Sequence, residues 1–196
     1  MFTGIIESVA KVERIQAEGT NRHFMLSCTL SSELKVDQSV SHNGVCLTVT
    51  RIEAAGYWVT AVAETLSKSN LRHWQQGTQV NVERCMLNNG RFDGHIVQGH
   101  VDQTGVVASV RDENGSWLFR FSFDPSLGNV VVEKGSIAVN GVSLTCFDVA
   151  DDGFSVAIIP YTFQHTNFHQ LKKGDTVNLE FDIIGKYVKR LLGKAG

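Results

Sequence analysis

The chain has 196 residues, of which 42% are hydrophobic and 19% are charged, and 18 Lys and Arg against 20 Asp and Glu give a net charge of −2. This balance excludes the basic surface with which proteins hold a nucleic-acid backbone, and no apolar stretch approaches the roughly 20 residues of a membrane-spanning helix. The length suits two small domains, each with its own core.

The first residues, MFTGIIESVAK, lack the basic start and the apolar block of a secretory signal. We therefore expect a cytoplasmic protein. Its four cysteines include no Cys-x-x-Cys pair, so we expect reduced thiols that form neither a disulfide nor a metal clamp. These cysteines are Cys28, Cys46, Cys85 and Cys146.

Short runs rich in Val, Ile, Thr and Phe, bounded by Gly, Asn and Asp, fill most of the first half of the chain. This pattern is typical of strands in a closed or nearly closed barrel, and about 90 residues suffice for six strands around a filled interior. Residues 64–71 are predicted to hold one short helical turn. The predicted strands are residues 5–14, 23–28, 45–52, 57–63 and 79–84.

The second half of the chain repeats the first. The block Asn43–Thr48 (NGVCLT) returns as Asn140–Thr145 (NGVSLT), 97 residues later, and the start, residues 2–12, aligns with residues 100–110 at an offset of 98. We therefore predict an all-β protein of two homologous, six-stranded, Greek-key-like closed barrels in tandem, formed by residues 1–96 and 97–183.

The tail, residues 184–196, differs from both halves. Its apolar residues have the spacing of one stripe on a C-terminal α-helix. Such a stripe needs a cover, which is either the chain's own domain or further copies of the chain. The stripe consists of Ile184, Tyr187, Val188, Leu191 and Leu192.

The repeated NGV-x-LT block carries small polar side chains that point to chemistry. Because a strand alternates its faces, Cys46 and Thr48 share one side, and Ser143 and Thr145 share the matching side of the second half. A single Thr in a strand is most simply explained by β propensity. A duplicated pair that differs only in thiol against hydroxyl suggests a division of labour, because serine relays a proton better than cysteine does.

Two histidines lie five residues apart, and on extended chain His95 and His100 point to opposite faces, so they do not share a metal ion. His100 suits proton transfer near neutral pH, although a lone histidine is more often structural. Cys46 has only His42 as a nearby cation in sequence, which favours a buried, inert thiol. The glycines around residues 94–99 do not form a dinucleotide-binding motif.

Taken together, several motifs make the sequence resemble the riboflavin synthase family over nearly the whole chain. In the first half these motifs are MFTGIIE (residues 1–7), HNGVCLTV (42–49) and ETL (64–66). In the second half they are GHIV (94–97), GHVD (99–102), KGSI (134–137), NGVSLT (140–145) and IPYT (159–162).

The resemblance implies a transferase that needs no metal or separate cofactor. Two molecules of 6,7-dimethyl-8-ribityllumazine exchange a four-carbon unit to give riboflavin and 5-amino-6-(ribitylamino)uracil. Each barrel binds one lumazine. The resemblance further implies a homotrimer held through the C-terminal helices, with the active site between the first barrel of one subunit and the second barrel of a neighbour, and an association with lumazine synthase.

The resemblance also assigns roles to residues. Catalytic roles fall on His100, Ser143 and Thr145, with Cys46 and Phe2 lining the opposite face. The substrate-binding residues of the first barrel are Gly4, Ile5, Ile6, Ser39, Leu47, Thr48, Thr60, Ala61, Val62, Ala63, Glu64 and Thr65. Those of the second barrel are Gly99, Val101, Lys134, Leu144, Ala157, Ile158, Ile159, Pro160, Tyr161 and Thr162.

Three positions depart from the family's pattern. Asp93 stands where the family usually has a glycine, Gln98 where it has serine, and Asn167 where it has threonine. If the glycine served a positive φ, Asp would tolerate that conformation better than most residues. Relatives of this fold also carry lumazine or flavin without turning it over, so a binding protein that is not an enzyme is the main alternative. A purely structural barrel would not explain why both halves keep the polar pair.

Overall fold

The computed structural model describes residues 1–192, which form two antiparallel barrels one after the other, followed by a helix. Barrel 1 is a closed sheet in the order β1-β2-β5-β4-β3-β6, in which β6 pairs with both β1 and β3. Its elements are β1 (Ser8–Glu18), β2 (Asn21–Ser27), β3 (Ser39–His42), β4 (Val45–Glu53), β5 (Gly56–Ala61), α1 (Ala63–Lys68) and β6 (Gln79–Arg84).

Barrel 2 is built in the same way, and its seven strands run in the order β10-β9-β13-β7-β8-β12-β11. Its elements are β7 (Gln103–Asp112), β8 (Trp117–Ser122), β9 (Ser136–Val139), β10 (Val142–Thr145), β11 (Phe147–Ala150), β12 (Gly153–Ile158), α2 (Pro160–His165) and β13 (Thr176–Phe181). Helix α3 (Ile183–Leu192) follows. The predicted all-β architecture of two barrels and a terminal helix is confirmed.

Barrel 2 has one strand more than predicted because the counterpart of β4 is divided at Cys146. In barrel 1, β4 carries a bulge between Val49 and Arg51 and still pairs on both sides. In barrel 2 the same place holds Asp148 at φ +47°, and the ladder is interrupted between β10 and β11. A residue in the left-handed region cannot continue the pleated strand, so the pairing stops here instead of passing through a bulge. The second barrel is therefore only nearly closed.

The repeat has a different register from the predicted one at the start of each half. Val12 and Val107 are equivalent residues. Each exchanges two backbone hydrogen bonds with a loop, Val12 with the loop before β6 and Val107 with the loop before β13. The offset is therefore 95. The predicted offset of 98 for residues 2–12 is wrong. The offset becomes 97 from β3 onward because the loop between β8 and β9 is two residues longer than the loop between β2 and β3.

The two barrels meet across an internal two-fold axis. Gly44 and Gly141, both at φ +79°, lie back to back, and a Cβ built on Gly44 would lie 2.9 Å from the Gly141 nitrogen. Next to them, Phe2 and Val97 form an antiparallel bridge with hydrogen bonds of 2.8 and 3.1 Å. Equivalent parts of the two halves therefore contact one another at the junction.

Buried asparagines connect the barrels around this axis. Asn81 donates from its side chain to the Asn140 carbonyl at 3.0 Å, and its counterpart Asn178 donates to the Asn43 carbonyl at 2.8 Å. Each side-chain oxygen in turn accepts a backbone N–H of the other barrel, from Asn167 at 2.7 Å and from Asn70 at 2.6 Å. The asparagine network comprises three counterpart pairs at an offset of 97: Asn43 and Asn140, Asn70 and Asn167, Asn81 and Asn178.

The cores of the two barrels differ in polarity. Barrel 1 contains buried His42, whose Nδ1 donates to the Val40 carbonyl at 3.0 Å and whose Nε2 accepts from the Tyr57 hydroxyl at 2.9 Å. At the counterpart positions barrel 2 has Val139 and Phe154, both fully buried. Burial lowers the pKa of His42 from 6.5 to about 4. Barrel 1 therefore contains a neutral imidazole that its partner barrel lacks.

Acid is expected to destabilise barrel 1 through His42. The pKa of His42 is about 4 in the folded protein and 6.5 in the unfolded chain. Between these two pH values the unfolded chain therefore binds a proton at His42 that the folded protein does not bind. The contribution of neutral His42 to the free energy of unfolding is complete above pH 6.5 and is lost as the pH falls toward 4. At about 1.4 kcal/mol per pKa unit the loss is about 3 kcal/mol. Urea unfolding at pH 7 and pH 4 measures it. The double variant His42→Val/Tyr57→Phe has the residues of barrel 2 at these positions. Between pH 7 and pH 4 its loss of unfolding free energy should be smaller than that of the wild type by about 3 kcal/mol. Equal losses in the two proteins would show that His42 is not responsible.

Within residues 1–192, the predicted apolar stripe of helix α3 is uncovered. The five side chains, Ile184, Tyr187, Val188, Leu191 and Leu192, are between 49% and 71% exposed. Lys186 pairs with Asp102 at 2.7 Å, and Lys189 donates to the Gly128 carbonyl, so the opposite, charged side of α3 faces barrel 2.

Among residues 1–192, no helix has both the length and the apolar character needed to cross a membrane. Residues 193–196 of the predicted tail lie outside the described residues.

Candidate active site

The segment before the first strand of each barrel lies against the other barrel. Gly4 accepts a hydrogen bond from the Ser143 N–H of barrel 2 at 2.8 Å, and its counterpart Gly99 accepts from the Cys46 N–H of barrel 1 at 2.9 Å. Ile6 packs on the core of barrel 2, whereas Val101 packs on the core of barrel 1. We call residues 3–6 and 98–101 the exchanged segments.

Both exchanged segments depend on a glycine for this close approach. Gly4 has φ +79° and Gly99 has φ +81°, a region in which a side chain is strained. A Cβ at Gly4 would lie 2.6 Å from the Ser143 Cβ, and a Cβ at Gly99 would lie 2.6 Å from the Cys46 Cβ. The backbone of each segment therefore lies directly over the NGV-x-LT strand of the other barrel.

These contacts form two related clefts on the outer surface of the barrels. Cleft 1 has a volume of about 230 Å³ and lies between the start of β4, helix α1 and an exchanged segment; its walls include Cys46, Glu64, Thr65, Lys68, Gly99, His100 and Val101. We call cleft 2 the position that the internal symmetry makes equivalent on barrel 2. There the Ser143 N–H donates to the Gly4 carbonyl, and the symmetry assigns to it residues 4–6 and the start of α2 with Thr162. Each cleft thus uses residues of both barrels.

The observed offset of 95 pairs different residues of the two clefts from those that the predicted offset of 98 paired. At the start-of-chain offset of 95, the counterpart of His100 is Ile5 and the counterpart of Phe2 is Val97. The correspondence of Phe2 with His100 that the predicted offset of 98 contained is therefore wrong, and the clefts differ at Ile5 against His100. Phe2 is fully buried with Val97 and Ala138, and Cys46 packs against this group. Phe2 lies beneath cleft 1 rather than on its open surface.

The catalytic candidates are divided between the clefts. His100 and Cys46 lie at cleft 1, and Ser143 lies at cleft 2. Thr48 and Thr145 are exposed on the same strand faces as Cys46 and Ser143, while Leu47 between them is buried in the core, so the predicted alternation is present. Burial raises the pKa of the Cys46 thiol, which fits the inert thiol predicted for this position.

The predicted binding residues fall into three groups by exposure. Leu47, Ala61 and Ile158 are buried, so their side chains face the barrel cores, and Gly4 and Gly99 are buried backbone positions of the exchanged segments. Partly buried are Ile6, Ser39, Thr60, Thr65, Val101, Leu144 and Thr162. Exposed are Ile5, Thr48, Val62, Ala63, Glu64, Lys134, Ala157, Ile159, Pro160 and Tyr161.

His95 is a site residue that the sequence analysis left without a role. Its Nδ1 lies 2.6 Å from the Ser143 hydroxyl oxygen, and its backbone N–H donates to the Thr3 carbonyl at 3.1 Å. Burial lowers the pKa of His95, an effect that nearby Asp182 opposes. A neutral imidazole can accept the hydroxyl proton of Ser143. At the counterpart position of cleft 1 the thiol of Cys46 replaces this hydroxyl, so the hydroxyl–imidazole pair belongs to cleft 2.

The three departures from the family's pattern have separate places. Asp93 is exposed and is not among the residues with positive φ; the crowded position is Gly94, where a Cβ would lie 2.0 Å from the Thr3 carbonyl oxygen. Gln98 donates its backbone N–H to Glu180 at 2.6 Å. Asn167 belongs to the asparagine network, where it pairs with Asn81.

Comparison with known proteins agrees with this architecture. The Lumazine binding domain family matches residues 3–85 and 98–182. Riboflavin synthase of Actinobacillus pleuropneumoniae is 40% identical over 99% of this chain and 91% of its own, and riboflavin synthase of Bacillus subtilis is 38% identical over 100% of this chain and 91% of its own. The chain belongs to the riboflavin synthase family.

The fold of this riboflavin synthase family member is also found in solved structures of LumP. LumP complexed with riboflavin superposes with a TM-score of 0.86 over 92% of this chain and 99% of its own, at 20% identity. LumP complexed with 6,7-dimethyl-8-(1'-D-ribityl) lumazine gives a TM-score of 0.83 over 92% and 98%, at 19% identity. At this identity the likeness concerns the fold alone.

Proposed function

We propose that the chain catalyses the dismutation of two 6,7-dimethyl-8-ribityllumazine molecules, in which one gives up a four-carbon unit to the other, yielding riboflavin and 5-amino-6-(ribitylamino)uracil. Full-length identity of 38–40% to riboflavin synthases supports this transferase activity. The structural observation that carries it is the pair of like positions with unlike chemistry. Within residues 1–192, the Ser143 hydroxyl lies at hydrogen-bond distance from the His95 imidazole, whereas the counterpart Cys46 carries a thiol and lines cleft 1 with His100. A reaction that uses two copies of one molecule in different roles needs such a pair.

Each cleft binds one lumazine. The extended exchanged segments offer backbone donors and acceptors to the pyrimidine ring, and the hydroxyls of Thr48 and Thr65 in cleft 1, or of Thr145 and Thr162 in cleft 2, hold the ribityl chain. Thr65 and Thr162 are half-buried beside the clefts, as a binding hydroxyl should be. A few polar groups fix the orientation of the ligand while apolar neighbours such as Val101 and Ile6 contact its faces.

Proton transfer is centred on cleft 2. The position-7 methyl of the lumazine is acidic because its carbanion delocalises into the electron-poor ring system. Its proton passes to the Ser143 oxygen as the hydroxyl proton of Ser143 moves to the unprotonated Nδ1 of His95, which lies 2.6 Å away. His95 returns the proton as the uracil product leaves. His100 is the acid–base group of cleft 1. The transfer consumes two identical molecules and needs no external oxidant or reductant.

The active unit is a homotrimer in which cleft 1 of one chain faces cleft 2 of the next. The exposed apolar stripe of α3 supports this proposal, because it has no cover within the described chain. Holding two flat rings stacked in a fixed orientation lowers the activation barrier by several kcal/mol, because it raises their effective concentration.

We place the enzyme in the cytoplasm. Association with lumazine synthase stays a prediction.

The purified chain, given 6,7-dimethyl-8-ribityllumazine alone, is expected to produce the absorption and green fluorescence of riboflavin, one flavin for every two lumazines consumed. Product quantification by chromatography measures this ratio, and the substrate incubated without protein is the control. A stable lumazine complex without flavin would instead identify a protein that binds lumazine without turning it over.

A further inference from the structure

Two buried glutamates hold the exchanged segments in place. Glu180 of β13 is 3% exposed; its Oε1 accepts the Gln98 N–H at 2.6 Å, and its Oε2 accepts the N–H groups of Gly99 and His100, both at 2.9 Å. One carboxylate thus satisfies three successive backbone donors. The segment Gln98–His100 has no regular secondary structure, so these bonds replace the ladder that would otherwise fix it.

Glu83 of β6 does the same for the first exchanged segment. Its Oε1 accepts the backbone N–H and the hydroxyl of Thr3, at 2.6 and 2.8 Å, and its Oε2 accepts the Gly4 N–H at 2.9 Å. Glu83 is 4% exposed, and it is the counterpart of Glu180 at the offset of 97. The two glutamates therefore form one device that occurs twice.

The effect of each glutamate falls on the opposite barrel. Glu180 belongs to barrel 2, yet the segment that it holds covers Cys46 and supplies His100 to cleft 1. Glu83 belongs to barrel 1, yet its segment covers Ser143 at cleft 2. Removing an acceptor would leave buried backbone N–H groups without partners and free the segment to move away from the cleft.

We propose that Glu180 is the positioning residue of cleft 1 and Glu83 the positioning residue of cleft 2, so that each barrel shapes the binding site of the other. The proposal rests on the proposed function, since it takes both clefts to be ligand sites. Both glutamates are almost fully buried. Each acts through the backbone that it holds.

The test is a footprint of bound riboflavin by hydrogen exchange on the full chain. In the wild type, riboflavin is expected to slow exchange in both α1 beside cleft 1 and α2 beside cleft 2. Glu180→Gln turns an accepting oxygen into a donating NH2 group opposite a backbone N–H. The riboflavin concentration that half-protects α1 is expected to rise about tenfold, the equivalent of about 1.4 kcal/mol, while that for α2 changes less than about twofold.

Glu83→Gln is the matched control, and it is expected to invert the pattern, with loss at α2 and retention at α1. Simple destabilisation of the barrel that carries the mutation would affect the other helix in each case. An unchanged footprint, or loss at α2 in Glu180→Gln, would overturn the proposal. Absence of any footprint in the wild type would instead count against the proposed function. If Glu180→Gln does not fold, Glu180→Asp keeps the charge but withdraws both oxygens, and it must show the same crossed loss.

Discussion

Replacing Ser143 by alanine is expected to lower kcat for riboflavin formation about 100-fold, the usual effect of removing one group from an acid–base relay. The substitution deletes the hydroxyl that lies 2.6 Å from His95 Nδ1 and leaves the buried imidazole without this partner. Initial rates at saturating 6,7-dimethyl-8-ribityllumazine measure the change.

The counterpart substitution provides the control for this prediction. Cys46→Ala removes a thiol at the equivalent strand position of cleft 1, where burial raises the pKa of the thiol, and its kcat is expected to stay within about tenfold of the wild type because no proton relay is lost. His95→Gln should slow the reaction about as much as Ser143→Ala, and the double variant should be little slower than either, because the two residues act as a unit. Equal effects of Ser143→Ala and Cys46→Ala would show that the division between the clefts is wrong.

Asn81→Ala is expected to destabilise the protein by about 3 kcal/mol, because it removes three hydrogen bonds at the barrel junction and strands buried partners. These bonds run to the Asn140 carbonyl, to the Asn167 side chain and from the Asn167 backbone N–H. For a chain of this size the loss corresponds to a fall in Tm of about 10 °C. Calorimetry measures it.

Two further variants make this measurement specific. Asn178→Ala breaks the counterpart bonds to Asn43 and Asn70, and a similar loss is expected because the network is symmetric. Asn88→Ala changes an exposed asparagine in the connection between the barrels and should leave Tm unchanged. A change in Tm for Asn81→Ala no larger than that for Asn88→Ala would mean that the network adds nothing to stability.

Local sequence pattern was enough to predict the strands and the duplication. Alternating residues such as Val45, Leu47 and Val49 point into one core, and the repeated NGV-x-LT block fixed the offset of 97 where the turn geometry repeats. The register at the start of each half was missed because a two-residue insertion lies in the irregular loop before β9, where no periodicity marks it. Aligning TGIIE (residues 3–7) with QGHVD (98–102) around the two positive-φ glycines would have found the offset of 95.

The sequence indicated single candidate residues of the site more readily than the contacts between them. Cys46 and Ser143 were predicted from the repeated block and lie where an exchanged segment of the opposite barrel covers each of them, and the catalytic roles of these residues and of His100 stay predictions. Strand periodicity carries no information about contacts between barrels. His95 illustrates the limit, because it meets Ser143 only after the chain crosses from one barrel to the other. The asparagine network shows the same limit, since six scattered asparagines look like ordinary turn residues until the junction is formed.

The symmetric junction also explains why the two halves are useful as a single covalent chain. Two separate, identical copies of one half could reproduce the Gly44–Gly141 contact and the asparagine bonds, but every mutation would then occur on both sides of the axis at once. Peptide linkage frees each position to diverge independently. The imidazole beside Ser143 and the isoleucine at the position equivalent to His100 are differences that two identical copies of one half could not carry.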